Sequence, residues 1–314
     1  MGAKLIMENI KYVLDYIYKK SPLQQKKIES FIGVQDEEFL IEFNDFLNLY
    51  SSYLKANNLS IDFCLDAYLK MINDMFRCQV KFMKSGEYPV SKTQDAIDNV
   101  YTNQTKMLSY MIGLALSQYL WKTHYEMFMH LKFELNKNKD KVNSYLEIGP
   151  GHGLFLKNAI NLLNDSVEMT AIDISPVSLD ISKSIIKYFY PNKKVNFINE
   201  DMLNLDLQSS FDFIVMGEVI EHVENPEVLL NKINKLLAPN GQAFISTCVN
   251  CPMIDHLYHF KTVDEIREML NRCGLEIVSE KVLPVESLDM SEIIERKITI
   301  NYSAIVKTLF NESR

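Results

Sequence analysis

Two carboxylates and an imidazole, Glu218, Glu221 and His222, stand close together in Met216-Gly217-Glu218-Val219-Ile220-Glu221-His222-Val223-Glu224-Asn225-Pro226. On one helical turn Glu218, Glu221 and His222, at i, i+3 and i+4, would share a face. Two carboxylates and an imidazole so arranged can hold a divalent cation, and oxygen-rich ligation with a histidine suits Mg²⁺, Mn²⁺ or Zn²⁺. A cation on a substrate hydroxyl would lower its pKa. Without one, the imidazole can take the proton itself. The spacing leaves open a metal site, a metal-free acid/base role and a structural role.

A second chemical segment lies upstream. Tyr145-Leu146-Glu147-Ile148-Gly149-Pro150-Gly151-His152-Gly153 ends an apolar run and opens an amphipathic one. Three glycines in five residues let backbone approach a ligand closely, and a helix N-terminus behind them offers unpaired N–H groups. The dinucleotide fingerprint G-x-G-x-x-G/A would need Gly or Ala at 154, where the chain has Leu154. No G-x-x-x-x-G-K-[ST] is present, which removes a P-loop reading.

These segments need elements to hold them. Through about residue 140 the apolar residues recur at three- and four-residue steps, as in Ile10, Val13, Leu14 and Ile17, and predict helices throughout. From Ser144 short apolar runs alternate with amphipathic helices, the pattern of parallel βαβ units. Strands are expected at 144–148, 168–173, 194–198, 211–216 and 242–247. Helices are expected at about 152–163, 176–189, 226–237 and 262–273. The segments 275–283 and 297–306 read as an antiparallel pair at the sheet edge. The fold class is α/β, with residues 1–140 as a helical lid and substrate region and 141–314 as the catalytic domain.

With these elements in place, residues 143–283 resemble the class I S-adenosylmethionine-dependent methyltransferases, whose first motif is E/D-x-G-x-G-x-G. Further motifs follow in order: Asp173 and Ile174 at the end of the second strand, and Asn199-Glu200-Asp201-Met202 after the third. The resemblance implies a Rossmann-like, doubly wound, seven-stranded and mostly parallel sheet. It implies that Glu147 with the backbone of Gly149, Gly151 and Gly153 holds the methionine moiety. Asp173 would accept from the ribose hydroxyls, Asp201 and Met202 would meet the adenine, and Gly217 would complete the cofactor wall.

Glu218-x-x-Glu221-His222 is similar to the E-x-x-E-H of ubiquinone-pathway O-methyltransferases and of small-RNA terminal 2′-O-methyltransferases. In the latter a later histidine completes the site. Here that implies His259, with His256 as the alternative. Helices just before the catalytic domain cover the cofactor in this family, which would turn His124 or Tyr125 toward the substrate; the other reading is an aromatic core stripe with Trp121 and Phe128. The catalytic candidates are thus His222, His124 and His259. The expected reaction is O-methylation of a small or carrier-bound metabolite. The rivals are N-, C- or carboxyl methylation, RNA 2′-O-methylation and a non-catalytic assembly subunit.

Composition bounds the partners. A net charge of −8 offers no general attraction to phosphate backbones, so nucleic acid is disfavoured. Five scattered cysteines do not make a disulfide framework, and Cys248-x-x-Cys251 has no second such pair to complete a zinc site and follows an apolar strand rather than opening a redox helix. No run is apolar enough to span a membrane, and the start reads as neither a signal peptide nor a myristoylation site. The expectation is a cytoplasmic protein, compatible with a homodimer.

Overall fold

A computed structural model describes residues 2–90, 92, 94, 100–101, 103–207 and 210–309. Helices α1 (Gly2–Lys20), α2 (Pro22–Ile32), α3 (Glu37–Ala56) and α4 (Ile61–Ser85) open the chain. Their boundaries follow from local chemistry. Pro22 starts α2, where its missing N–H costs nothing. Asp36 and Ser60 cap α3 and α4 by accepting from the N–H groups of Phe39 and Phe63. Helices α5 (Gln104–Leu120) and α6 (Lys122–Asn138) follow, broken at the extended residue Trp121.

The helical core is aromatic. Phe43 of α3 stacks on Tyr119 of α5 at 5.3 Å, and Tyr50, Tyr68 and Ile112 are buried beside them. The same cluster takes in Leu154, Ile181 and Ile185 from the α/β half. Burial thus runs continuously across the two halves of the sequence, and α5 is the helix that touches both α4 and the α/β layer.

Among the described residues a seven-stranded sheet forms from β1 (Ser144–Ile148), β2 (Glu168–Asp173), β3 (Asn196–Asn199), β4 (Phe211–Gly217), β5 (Leu237–Val249), β6 (Leu275–Pro284) and β7 (Ile300–Thr308). Its order is β3-β2-β1-β4-β5-β7-β6, with β7 antiparallel to both β5 and β6. Helices α7 (Leu154–Leu162), α8 (Pro176–Phe189), α9 (Pro226–Leu236), α10 (Val263–Arg272) and the short α11 (Met290–Glu295) complete the chain. The strands after the glycine loop fall where the apolar runs predict them, and the edge pair is antiparallel as expected. β5 is longer than its apolar run, because β7 pairs along it from Ala243 to Val249 and Leu237 pairs with Phe211. The chain leaves β1 for β2 on one side and later fills β4 on the other, so the loops after β1 and β4 diverge. That divergence is where open α/β sheets bind ligands.

Candidate active site

The loops after β1, β2, β3 and β4 line a cavity of about 1520 Å³, roofed by α5 and α6. At its floor Glu147 is buried and receives the Tyr145 hydroxyl. Burial pushes the Glu147 carboxyl up to about 8. Gly149, Gly151 and Gly153 all adopt left-handed backbone. At Gly149 a Cβ would also lie 2.6 Å from the Val219 methyl, so only glycine lets the loop after β1 pass the loop after β4.

Asp173 ends β2 and is pinned within its own turn. It accepts from the Ser175 N–H at 2.8 Å and the Ser178 hydroxyl at 2.6 Å. Burial still raises it to about 6. Ile174, Asp201, Met202 and Gly217 line the same cavity. Asp201 accepts from the Leu203 N–H, which closes the turn after β3.

Beyond β4 the chain does not form the helical turn that the spacing suggests. Glu218 takes a left-handed conformation with φ +53°, a costly one for a residue with a Cβ. It is held there by its N–H donating to the Ser246 carbonyl and hydroxyl. Ile220–His222 is then a single 3₁₀ turn. Glu221 is fully buried, with Oε2 accepting from Thr247 at 2.8 Å while Oε1, 4.0 Å from His222 Nε2, has no hydrogen-bond partner. Desolvation, followed by the neighbouring Glu218 charge, drives the Glu221 carboxyl well up, and burial lifts Glu218 to about 7.

His222 presents a defined tautomer. Its Nδ1 lies 2.9 Å from the Asp255 backbone carbonyl, and a carbonyl only accepts. Nδ1 of the neutral ring therefore carries the proton, and Nε2 keeps its lone pair. The Tyr101 hydroxyl sits 3.0 Å from the same Nδ1. Tyr101 in turn accepts from Ser175 through its backbone carbonyl, which links the ring to the Asp173 turn.

The later histidine that joins this cluster is His256. Its ring packs edge-on to His222 at 4.7 Å, and Glu221, His222 and His256 bring ligand atoms within 4.8 Å of one another. His259 lies apart from the ligand groups of the described residues and outside the cavity wall. It stacks on Tyr88 at 4.6 Å, edges Phe82 at 5.0 Å and bonds Asn250. The reason is local: Glu221 accepts from the N–H groups of both Leu257 and Tyr258, which fixes the loop with His256 toward the cluster. Glu218 groups instead with Glu221 and Cys248, so Glu221 is the member common to both carboxylate-containing sets.

His124 reaches the cavity from the roof. Ser117 donates to Leu114 and lies 2.8 Å from His124 Nδ1, so Nδ1 carries the proton and Nε2 its lone pair. Burial pulls His124 down to about 3, which keeps it neutral. Tyr125 instead points into the helical core against Phe39. His152, Tyr101, Tyr110 and Asp255 also line the cavity, and their types and spacing in the sequence do not single them out. His152 is legible only by its place inside the glycine loop; the other three reach the cavity through long-range packing.

A family model described as a methyltransferase domain matches residues 119–280, just over half of the chain. The chain belongs to this methyltransferase family. It is a class I S-adenosylmethionine-dependent enzyme, with the Rossmann-like sheet that such enzymes share. The ubiquinone biosynthesis O-methyltransferase of Rickettsia bellii (strain OSU 85-389) is 27% identical to it over 205 residues, spanning 57% of this chain and 83% of that protein. A malonyl-[acyl-carrier protein] O-methyltransferase 2 from Ilyobacter polytropus is 24% identical over 165 residues, 52% of this chain and 58% of that one. The structure of mitomycin 7-O-methyltransferase MmcR aligns with a TM-score of 0.52 over 75% of this chain and 68% of its own, at 8% identity, a likeness of fold. Among the described residues no helix is long and apolar enough to cross a membrane.

Proposed function

We propose that this methyltransferase acts on a hydroxyl oxygen of a small or carrier-bound, largely apolar acceptor, with His222 as the base. The observation that carries this reading is the His222 tautomer. Its Nδ1–H is committed to Asp255, which leaves the Nε2 lone pair of the neutral ring, 4.0 Å from Glu221 Oε1, on a residue that lines the cavity holding the glycine loop and Asp173. Direct displacement on the sulfonium methyl forms one O–C bond and breaks one S–C bond, and the acceptor proton passes to Nε2. Relatives whose names specify O-methylation support the same choice of atom.

In this reading Glu147 and the backbone of Gly149, Gly151 and Gly153 hold the methionine end of the cofactor. Asp173 and Ile174 meet the ribose, Asp201 and Met202 the adenine, and Gly217 the wall beside the sulfonium. A Cβ on Gly217 would fall 2.7 Å from the Phe155 ring, so this part of the wall is already filled to contact. The helices of residues 1–140 act as lid and acceptor pocket. Met71, Met75 and Met111 line the cavity, and such flexible thioethers suit an apolar guest. His124, neutral and facing the cavity, positions the acceptor or the cofactor.

Glu218 Oε1, Glu221 Oε1 and Asp255 Oδ1 are buried without partners, and a divalent cation would satisfy such a set. Glu221, His222 and His256, whose ligand atoms lie within 4.8 Å of one another, are the residues that would hold it; His222 would then ligate through Nε2 in place of acting as base, and the ion would lower the pKa of a bound hydroxyl. The test of the overall reading is product analysis with matched phenol, alcohol, amine and thiol acceptors. An O-methyl product, with kcat reduced about 10²-fold or more in His222→Asn while S-adenosylhomocysteine affinity stays within threefold, supports it. Exclusive N-, C- or S-methylation refutes it.

A further inference from the structure

Cys248 is the penultimate residue of β5 and Cys251 lies three residues on, with Asn250 between them in a left-handed turn at φ +51°. That turn is fastened on several sides. Asn250 N–H donates to Phe260, Thr299 donates to Asn250, and Cys251 N–H donates to the Tyr88 hydroxyl at 2.8 Å. His256 returns to the same place, its Nδ1 2.7 Å from the Cys251 carbonyl and 3.7 Å from the Cys248 sulfur. Both thiols are free, and the ligand atoms of Cys248, Cys251 and His256 lie within 4.8 Å of one another. Tetrahedral ligation places thiolate and imidazole donors at about 2.0–2.3 Å from Zn²⁺, so donors this close to one another can meet at one ion once His256 Nδ1 turns from the Cys251 carbonyl.

We propose that Cys248, Cys251 and His256 form a Zn²⁺ site whose fourth position faces the acceptor cavity. Two further observations point to a cation at this place. Cys251 and His256 are themselves in the cavity wall. The fully buried Glu221 and its neighbour Glu218 each carry an unpartnered oxygen, and both group with Cys248. Thiolate donors select a borderline-soft ion over Mg²⁺, which separates this site from one built on the carboxylates alone.

The charges balance. Two S–H bonds break, two Zn–S bonds form, and two protons leave to solvent. The imidazole proton moves to Nε2, which gives up the hydrogen bond from Nδ1 to the Cys251 carbonyl and frees the Nδ1 lone pair, with no net proton change. Two thiolates and one neutral imidazole cancel the ion's charge, so a buried site gains no net charge. The fourth position is the arrangement that distinguishes reactive from closed structural zinc sites. Its use in activating an acceptor hydroxyl rests on the O-methylation reading; the site itself does not.

The test is metal binding rather than turnover. Full-length protein, reduced and stripped with a chelator, is titrated with Co²⁺ and then Zn²⁺. One equivalent of Co²⁺ producing thiolate-to-cobalt charge-transfer absorption, displaced by Zn²⁺ and lost in Cys248→Ser/Cys251→Ser, is expected. Zn²⁺ should also slow alkylation of Cys251 in the wild type at least about tenfold, read by peptide mass spectrometry, which needs no variant to fold. Cobalt binding without the charge-transfer band, or unchanged alkylation at saturating Zn²⁺, overturns the proposal. S-adenosylhomocysteine binding by the stripped protein, measured in parallel, reports on the methyltransferase reading independently.

Discussion

Replacing Glu147 by glutamine isolates the cost of a buried carboxyl. Glu147 is inaccessible beneath the glycine loop, and burial raises its pKa from 4.5 to about 8. For an acid raised by folding, the stabilising contribution is complete below pH 4.5 and is lost as pH rises toward 8. Between pH 4.5 and pH 7 one such group should withdraw about 3 kcal/mol from the ligand-free protein. In a chain of this size that is a shift in Tm on the order of 5 °C. The amide introduced by Glu147→Gln keeps an oxygen able to accept from Tyr145 and does not titrate. The assay is thermal unfolding of both proteins from pH 5 to pH 7.5, taken as a difference. That difference cancels the other buried acids, Asp173 and Glu218 among them. The variant should gain on wild type by roughly 5 °C across the window. A difference that stays flat with pH would show that Glu147 is ionised throughout despite its burial, the opposite of the expected result.

Other perturbations have equally direct outcomes. Gly149→Ala combines a left-handed backbone with contact on Val219 and should cost about 2 kcal/mol or more, with loss of cofactor binding, in denaturant unfolding and calorimetry. Asp173 ionises only above about pH 6, so S-adenosylhomocysteine should bind progressively more weakly below that pH; Asp173→Asn should flatten the profile. His259→Ala, which removes a ring stacked on Tyr88, should lower stability by about 1 kcal/mol while kcat stays within threefold; a hundredfold loss of kcat would return His259 to the site. Lys27 and Glu286 pair at 3.0 Å beside the cavity entrance, both about half exposed, so Lys27→Ala should change stability by less than about 1 kcal/mol.

The order of apolar runs after Ser144 revealed the sheet because each run is bounded by turn residues and each parallel crossover needs its own helix. The glycine loop was legible for the same reason: left-handed backbone leaves glycine as its trace. Glu218 left no such trace. Its left-handed turn is imposed by Ser246 on a neighbouring strand, so the expected helical face became a 3₁₀ turn. Which of His256 and His259 turns inward depended on two N–H bonds to Glu221, a contact across more than thirty residues of chain. Cys248-x-x-Cys251 was visible as a pair. His256 beside it was not, because only the fold of that loop brings the imidazole back to the thiols.

The most direct test is calorimetric binding of S-adenosylmethionine and S-adenosylhomocysteine to the wild type and to Asp173→Ala. One site per chain, with affinity lost by at least about tenfold in a folded Asp173→Ala protein, is the expected result. A folded wild type that binds neither compound would contradict the account at its centre.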